Sequence, residues 1–180
     1  MEQQEIQNPT DILVVIGLGN PGHKYRNNRH NIGFLVLDAL AETYGLDWQS
    51  KDKAEIAQLV VGSKTVMLVK PQTFMNVSGL VVPALTKKGI KPENILVVHD
   101  ELEKPFGTFA IRCGGSARGH NGLKSIIKAC GFEFWLLRCG VGRPENKNDV
   151  PEYVLTDFAE ERTRVAQFIQ QGAAEVEKYL

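Results

Sequence analysis

The sequence is poor in features that stabilise a chain from outside its own core. Only three cysteines occur among 180 residues, Cys113, Cys130 and Cys139, and none forms a CxxC pair. An odd, unpaired set fits reduced thiols serving as small apolar residues, and argues against a disulfide framework or a cysteine-built zinc site. No apolar run approaches the roughly 18 residues that a membrane-spanning helix needs. The opening residues from Met1 to Pro9 have neither a basic stretch nor a hydrophobic signal core, so a cytoplasmic location is expected. Neither sign of charge dominates, since 21 Lys and Arg balance 21 Asp and Glu. The molecule as a whole then exerts no long-range pull on a polyanion, and a nucleic-acid partner would have to be held by a local basic cluster. The histidines, His23, His30, His99 and His120, lack HxxxH or HxxE spacing, which speaks against a metal centre. There is no G-x-S-x-G turn, and no cysteine falls at a strand-to-helix elbow, so a side-chain nucleophile is not expected either.

What is present is a chain 43% hydrophobic and 23% charged, enough apolar surface for one soluble domain over residues 1–180, with 1–11 expected as a flexible N-terminal extension. Residues 12–16 form a short β-branched run closed by Gly17, the pattern of a strand covered on both faces. Gly33, Val36, Leu37, Leu40, Ala41 and Tyr44 recur at helical spacing until Gly45 stops them. Residues 55–61 and 65–69 flank Gly62-Ser63-Lys64 and predict a hairpin. A helix is expected over 78–88, with Pro83 an awkward interior residue that would delay its start or kink it. Residues 95–98 predict a second buried strand and 108–112 a third. The Gly-rich stretch 114–119 reads as a flexible loop, 121–130 as a helix, 134–141 as a strand and 145–149 as loop, with a final helix opening near Asp157. Strands alternating with helices predict a mixed α/β sheet with helices on both faces.

Gly17-Leu-Gly19-Asn-Pro-Gly22 satisfies GxGxxG directly after a strand, which would suit a dinucleotide. The residues after it, however, are poor in apolar periodicity, so the helix that should meet a pyrophosphate is missing at that point. His30, between Arg29 and Asn31 in a loop entering a helix, is either a surface or capping histidine or a base. Asp100 favours the base, because it follows a buried strand and could hold one ring nitrogen, leaving the other to take a proton from water. Asn76 and Asn121 stand at helix starts, where they either cap or read a backbone or ribose. Arg112, Arg118, Lys124, Lys128, Arg138 and Arg143 crowd one third of the chain beside Gly114, Gly115 and Gly119. They are either solvated charges or a cradle for a nucleic-acid end.

Together, Val15-Ile-Gly-Leu-Gly-Asn-Pro-Gly22, Arg29-His-Asn-Ile-Gly-Phe34, Lys70-Pro-Gln-Thr-Phe-Met-Asn76, His99-Asp-Glu-Leu102, Gly119-His-Asn-Gly-Leu123 and Leu137-Arg-Cys-Gly-Val-Gly-Arg-Pro144 resemble the bacterial-type peptidyl-tRNA hydrolases. The resemblance implies a monomer, without metal, cofactor or obligate protein partner, that cleaves the ester between peptide and tRNA and so recycles the tRNA. It implies His30 as catalytic base, Asp100 as its partner, and Asn20 as the group positioning water or the scissile carbonyl. Tyr25, Met75, Asn76, His120 and Asn121 would line the substrate channel, and Arg112 and Arg138 would grip a tRNA phosphate. Arg118 stands where the family often has glycine and Leu136 where it often has a basic residue. A non-catalytic RNA-binding homologue acting in splicing is the second reading, and a nicotinamide-dependent oxidoreductase the third.

Overall fold

The strand β1 (Val14–Gly17) runs parallel to β4 (Lys64–Pro71) on one side and to β5 (Ile95–Glu101) on the other. Every residue of β1 and β5 is buried, which is why β1 and the first four residues of β5 read as unbroken apolar runs rather than as alternating ones. Val15, Leu96 and Val98 enter the apolar cluster under one face, and Val14, Ile16, Ile95 and Val97 the cluster under the other. The first face is covered by α1 (Ile32–Thr43) and α5 (Arg162–Glu177), whose Leu40 and Phe168 are fully buried. The second is covered by α2 (Val82–Thr86) and α3 (Asn121–Cys130), through Leu85, Leu123 and Ile126. Each such side chain contributes about 1.5–3 kcal/mol of burial. The computed structural model describes residues 9–180.

Outside the central strands, β3 (Ala54–Val61) pairs antiparallel with β4, and β2 (Gln49–Lys51) with β3. On the other side β7 (Trp135–Gly140) lies parallel to β5, and β6 (Phe109–Cys113) closes the sheet antiparallel to β7. The order is β2-β3-β4-β1-β5-β7-β6, so the expected mixed α/β architecture is borne out. The chain leaves β1 to build β2, β3 and β4 on one side, then crosses to β5 on the other. That reversal opens a crevice at the carboxyl ends of β1 and β5.

Close packing brings the start of α1 to this crevice. A Cβ on Gly33 would lie 2.3 Å from the Leu18 nitrogen and 2.4 Å from the Val98 carbonyl oxygen, and one on Gly17 2.4 Å from the Gly33 carbonyl oxygen. The Phe34 ring covers Gly19 in the same way, 2.7 Å from where its Cβ would stand. Gly17 and Gly19 of the GxGxxG string therefore serve helix-to-strand packing, while Gly22 serves a turn at φ 105°, and α1 begins only at Ile32.

Several expectations are corrected. In place of one helix over 78–88 there is a 3-10 segment, Met75–Val81, followed by α2, in whose first turn Pro83 lacks no needed N–H. The last helix starts at Arg162 rather than near Asp157, because the Asp157 backbone is held in an antiparallel bridge to Asn28, with the two side chains also bonded at 2.8 Å. The polar stretch after Glu145 contains a 3-10 turn, Lys147–Asp149, and leads into α4 (Val150–Val154), too short to show periodicity. β2 was not foreseen, being polar and exposed throughout. His99, Asp100 and Glu101 are the last residues of β5 itself. Most of the expected N-terminal extension lies outside the described residues; within them, the Asp11 carbonyl accepts a bond from Asn94 (3.0 Å). No helix among the described residues is long and apolar enough to cross a membrane.

Candidate active site

The loop between β1 and α1 is closed by a two-bond clamp. The Asn20 N–H donates to Asn31 Oδ1 and Asn31 Nδ2 donates to the Asn20 carbonyl, each at 2.9 Å. On the other side of His30, the buried Arg29 donates through Nη1 to the carbonyls of Tyr153 (3.2 Å), Thr156 (3.3 Å) and Asp157 (2.9 Å), with its guanidinium 4.1 Å from the Tyr153 ring centroid. Both neighbours of His30 are thus buried and tied down, while the His30 imidazole keeps one edge on the crevice.

That imidazole meets Asp100. His30 Nδ1 lies 2.9 Å from Oδ1 and 3.0 Å from Oδ2 of the carboxylate. Burial by itself raises the Asp100 carboxyl, but the His30 and His120 rings beside it outweigh burial and hold it well below its ordinary 3.8. An ionised carboxylate only accepts, so His30 must donate Nδ1–H and carry its lone pair on Nε2. Nε2 makes no hydrogen bond among the described residues. Burial pulls the His30 imidazole down, yet the charge of Asp100 and its hydrogen bond win, and the balance lies above 6.5.

A second imidazole shares the same oxygen: His120 Nε2 is 2.9 Å from Asp100 Oδ1. His120 is also the N-cap of α3, its Nδ1 accepting from the backbone N–H of Gly122 (3.1 Å) and of Leu123 (3.3 Å). Neither Asn76 nor Asn121 caps a helix, so that alternative falls away. The third ring, His99, donates Nδ1–H to the Asp100 carbonyl (2.8 Å); burial, then the nearby His120, lowers its pKa to about 4.

A cavity of about 390 Å³ opens over these groups, and His30, Asp100, His120, Asn121, Arg112 and Arg138 all line it. Of the remaining residues singled out in the sequence, Asn20, Tyr25, Met75 and Asn76 do not. Asn20 is buried and accepts the Met75 N–H on Oδ1 at 2.8 Å. Its amide is thereby oriented with Nδ2 left as a donor. Met75 packs against the first turn of α3, where a Cβ on Gly122 would be 2.5 Å from its Sδ. Tyr25 meets the exposed Phe74 edge to face at 6.4 Å, and Asn76 is exposed.

The basic residues divide. Arg138 is spent on Glu101, with Nε at 2.7 Å and Nη2 at 2.6 Å from Oε2, and Arg143 is paired with Glu103. Among the described residues Arg112 has no ion pair, and it lies over the bare backbone of Gly115. Arg118 is exposed on the cavity wall at φ 46°, a left-handed conformation that favours glycine. Sequence reasoning missed Glu101 as counter-ion and Asn31 as clamp; the only available signal for Asn31 was its place beside His30.

Ligand atoms of His30, Asp100 and His120 lie within 4.8 Å of one another. The donor set nevertheless suits protons better than a metal ion, because His120 Nε2 carries the hydrogen when Nδ1 accepts from the cap, and so has no lone pair to give.

An imidazole oriented by a carboxylate, with its second nitrogen unbonded among the described residues and a partly basic cavity beside it, is a site built for proton transfer, of the kind hydrolases use. Comparison with known proteins makes this specific. The family described as peptidyl-tRNA hydrolase matches residues 14–180. A peptidyl-tRNA hydrolase of Pseudarthrobacter chlorophenolicus is 43% identical over 176 residues, covering 95% of this chain and 90% of that protein. One of Desulfitobacterium hafniense is 45% identical over 158 residues, covering 87% and 85%. The crystal structure of the Acinetobacter baumannii peptidyl-tRNA hydrolase superposes with a TM-score of 0.83 at 31% identity, over 96% of this chain and 94% of that one. This chain belongs to the peptidyl-tRNA hydrolase family, and is an enzyme that hydrolyses peptidyl-tRNA. The splicing-partner reading finds no support among these relatives.

Proposed function

We propose that His30 is the general base of this hydrolysis and that water is the nucleophile. His30 Nε2 takes a proton from water as the water oxygen bonds to the ester carbonyl carbon. The imidazolium, stabilised by Asp100, then returns the proton to the ribose oxygen as the acyl bond breaks, releasing the peptide acid and tRNA with a free hydroxyl. A ribose hydroxyl leaves far more readily than an amine, so base catalysis with polar positioning suffices without a covalent intermediate. Asn20 Nδ2 donates to the carbonyl oxygen or the attacking water, its rotation fixed by the Met75 amide. His120 and Asn121 on the cavity wall border the path of the terminal ribose, the family resemblance extends the peptide path to Tyr25, Met75 and Asn76 outside the cavity, and Arg112 and Arg138 face phosphate.

One observation carries this reading: His30 Nδ1 sits 2.9 Å from a buried carboxylate while Nε2 stays free. Replacing His30 by alanine should cut release of deacylated tRNA from purified peptidyl-tRNA by about 10²–10⁴-fold, with EDTA leaving the wild type unchanged. Normal turnover by the alanine variant would remove His30 from the mechanism. The family resemblance further suggests a cytoplasmic monomer, which sedimentation or gel filtration of the full chain checks.

A further inference from the structure

We propose that His120 is a positioning residue of the reaction: through one N–H it governs how strongly Asp100 holds a proton on His30. This rests on the reading of His30 as the base. His120 joins two structures with one ring. Only a lone pair on Nδ1 can accept the Gly122 and Leu123 amides, and a neutral imidazole has a single N–H, so Nε2 donates to Asp100 Oδ1. The ring cannot turn away from Asp100 without uncapping α3, whose first turns are anchored by the buried Leu123 and Ile126.

The consequence is electrostatic. Asp100 Oδ1 serves two donors at 2.9 Å, and each stabilises the carboxylate, making it a weaker partner for the other. Of the other ionisable groups around His30, Arg112 and Arg118 on the cavity wall are untouched by a change at His120, and those nearer Asp100 are otherwise committed. His99 uses Nδ1 on the Asp100 backbone carbonyl, and Glu101 and Arg138 are paired to each other. Arg29 is turned to the carbonyls of 153, 156 and 157. Among the described residues, His30 and His120 alone donate to the Asp100 carboxylate. Removing the His120 donor strengthens the grip of Asp100 on a protonated His30, so less of the free base is present near neutrality.

Two substitutions separate the cap from the carboxylate contact. In His120→Asn an amide oxygen takes the place of Nδ1, a favoured N-cap, but the side chain stops short of Asp100. In His120→Gln the amide nitrogen reaches the position of Nε2 and the cap is lost. For His120→Asn the acid limb of kcat/KM, and the NMR titration of the His30 imidazole in the free enzyme, should both move up by about half a pH unit. Thermal stability should stay within about 1–2 °C of wild type. For His120→Gln the limb should return toward wild type while Tm falls by about 2–4 °C. An unmoved or lowered His30 titration in His120→Asn overturns the proposal, as does a rise in KM alone in both variants, the mark of simple substrate lining. A titration that shifts while the kinetic limb does not follow it overturns the base reading instead, since the NMR signal reports the coupling without any turnover.

Discussion

Asp100→Asn removes one charge and nearly no volume from a buried site, and its effect can be worked out from the contacts. The carboxylate now accepts from His30 and from His120. With its oxygen in the Oδ1 position the amide still accepts from His120, but its nitrogen then takes the Oδ2 position, 3.0 Å from His30 Nδ1, and points a hydrogen at that donor. If His120 keeps its bond because the α3 cap fixes its tautomer, His30 must turn Nδ1 into an acceptor and move its hydrogen to Nε2, the atom that faces the cavity. The base is lost through the wrong tautomer, and turnover should fall by about 10²–10⁴-fold while KM changes little. The sign of the pH effect is also determined. In the wild type burial pulls His30 down and Asp100 more than compensates, so the acid limb should lie above 6.5. Without the charge burial prevails, and the limb of the residual activity should fall below 6.5. Stability follows the same groups. The depressed Asp100 contributes stability that is present above 3.8 and lost as pH falls through its lowered value. The raised His30 contributes stability present below 6.5 and lost as pH rises through its raised value. The variant should therefore flatten the urea midpoint across both windows. Single-turnover release of tRNA between about pH 5 and 9 provides the assay, and an unchanged rate profile would refute the coupling of these two residues.

Gly33→Ala would place a methyl 2.3 Å from the Leu18 nitrogen and 2.4 Å from the Val98 oxygen, both backbone atoms. It should cost about 3 kcal/mol or more in urea unfolding, and near-wild-type stability would mean that α1 can retreat from β1. The two proposed phosphate-facing arginines should respond differently to salt. Arg112→Ala should lower the slope of log KM against log salt by about one, whereas Glu101→Gln, by freeing Arg138, should raise it and tighten tRNA binding. Equal behaviour of the two would show that the Glu101 pair does not restrain Arg138.

What could be read in the sequence follows from how directly a residue's surroundings are written in its neighbours. β1 and residues 95–98 of β5 were legible because their burial on both faces is written as an apolar run, and α3 because Leu123, Ile126 and Ile127 repeat at helical spacing. β2 was not, since Gln49, Ser50 and Lys51 are exposed and their strand is made by pairing with β3 after the left-handed turn at Asp52 and Lys53. His30 and Asp100 were legible as candidates because Asp100 lies at the carboxyl end of one buried strand and His30 in the loop that leaves another, where an α/β sheet keeps its crevice. The neutralisation of Arg138 was hidden, for it depends on the register that sets His99 of β5 opposite Arg138 and brings Glu101 beside it. Register is a property of the assembled sheet and leaves no local trace.

His120 shows how a departure from a local rule can itself be informative. Helix caps favour serine, threonine, asparagine or aspartate, and Asn121, one residue later, had attracted that expectation. The residue that caps α3 is instead an imidazole. As a cap alone it offers nothing that asparagine lacks, and it costs more side-chain surface to order. Its advantage is reach: the nitrogen opposite the capping one extends to Asp100, and no preferred capping residue is long enough to make both bonds. Where a site accepts a poorer local choice, the gain lies in the additional contact, and here that contact ends on the carboxylate that orients His30.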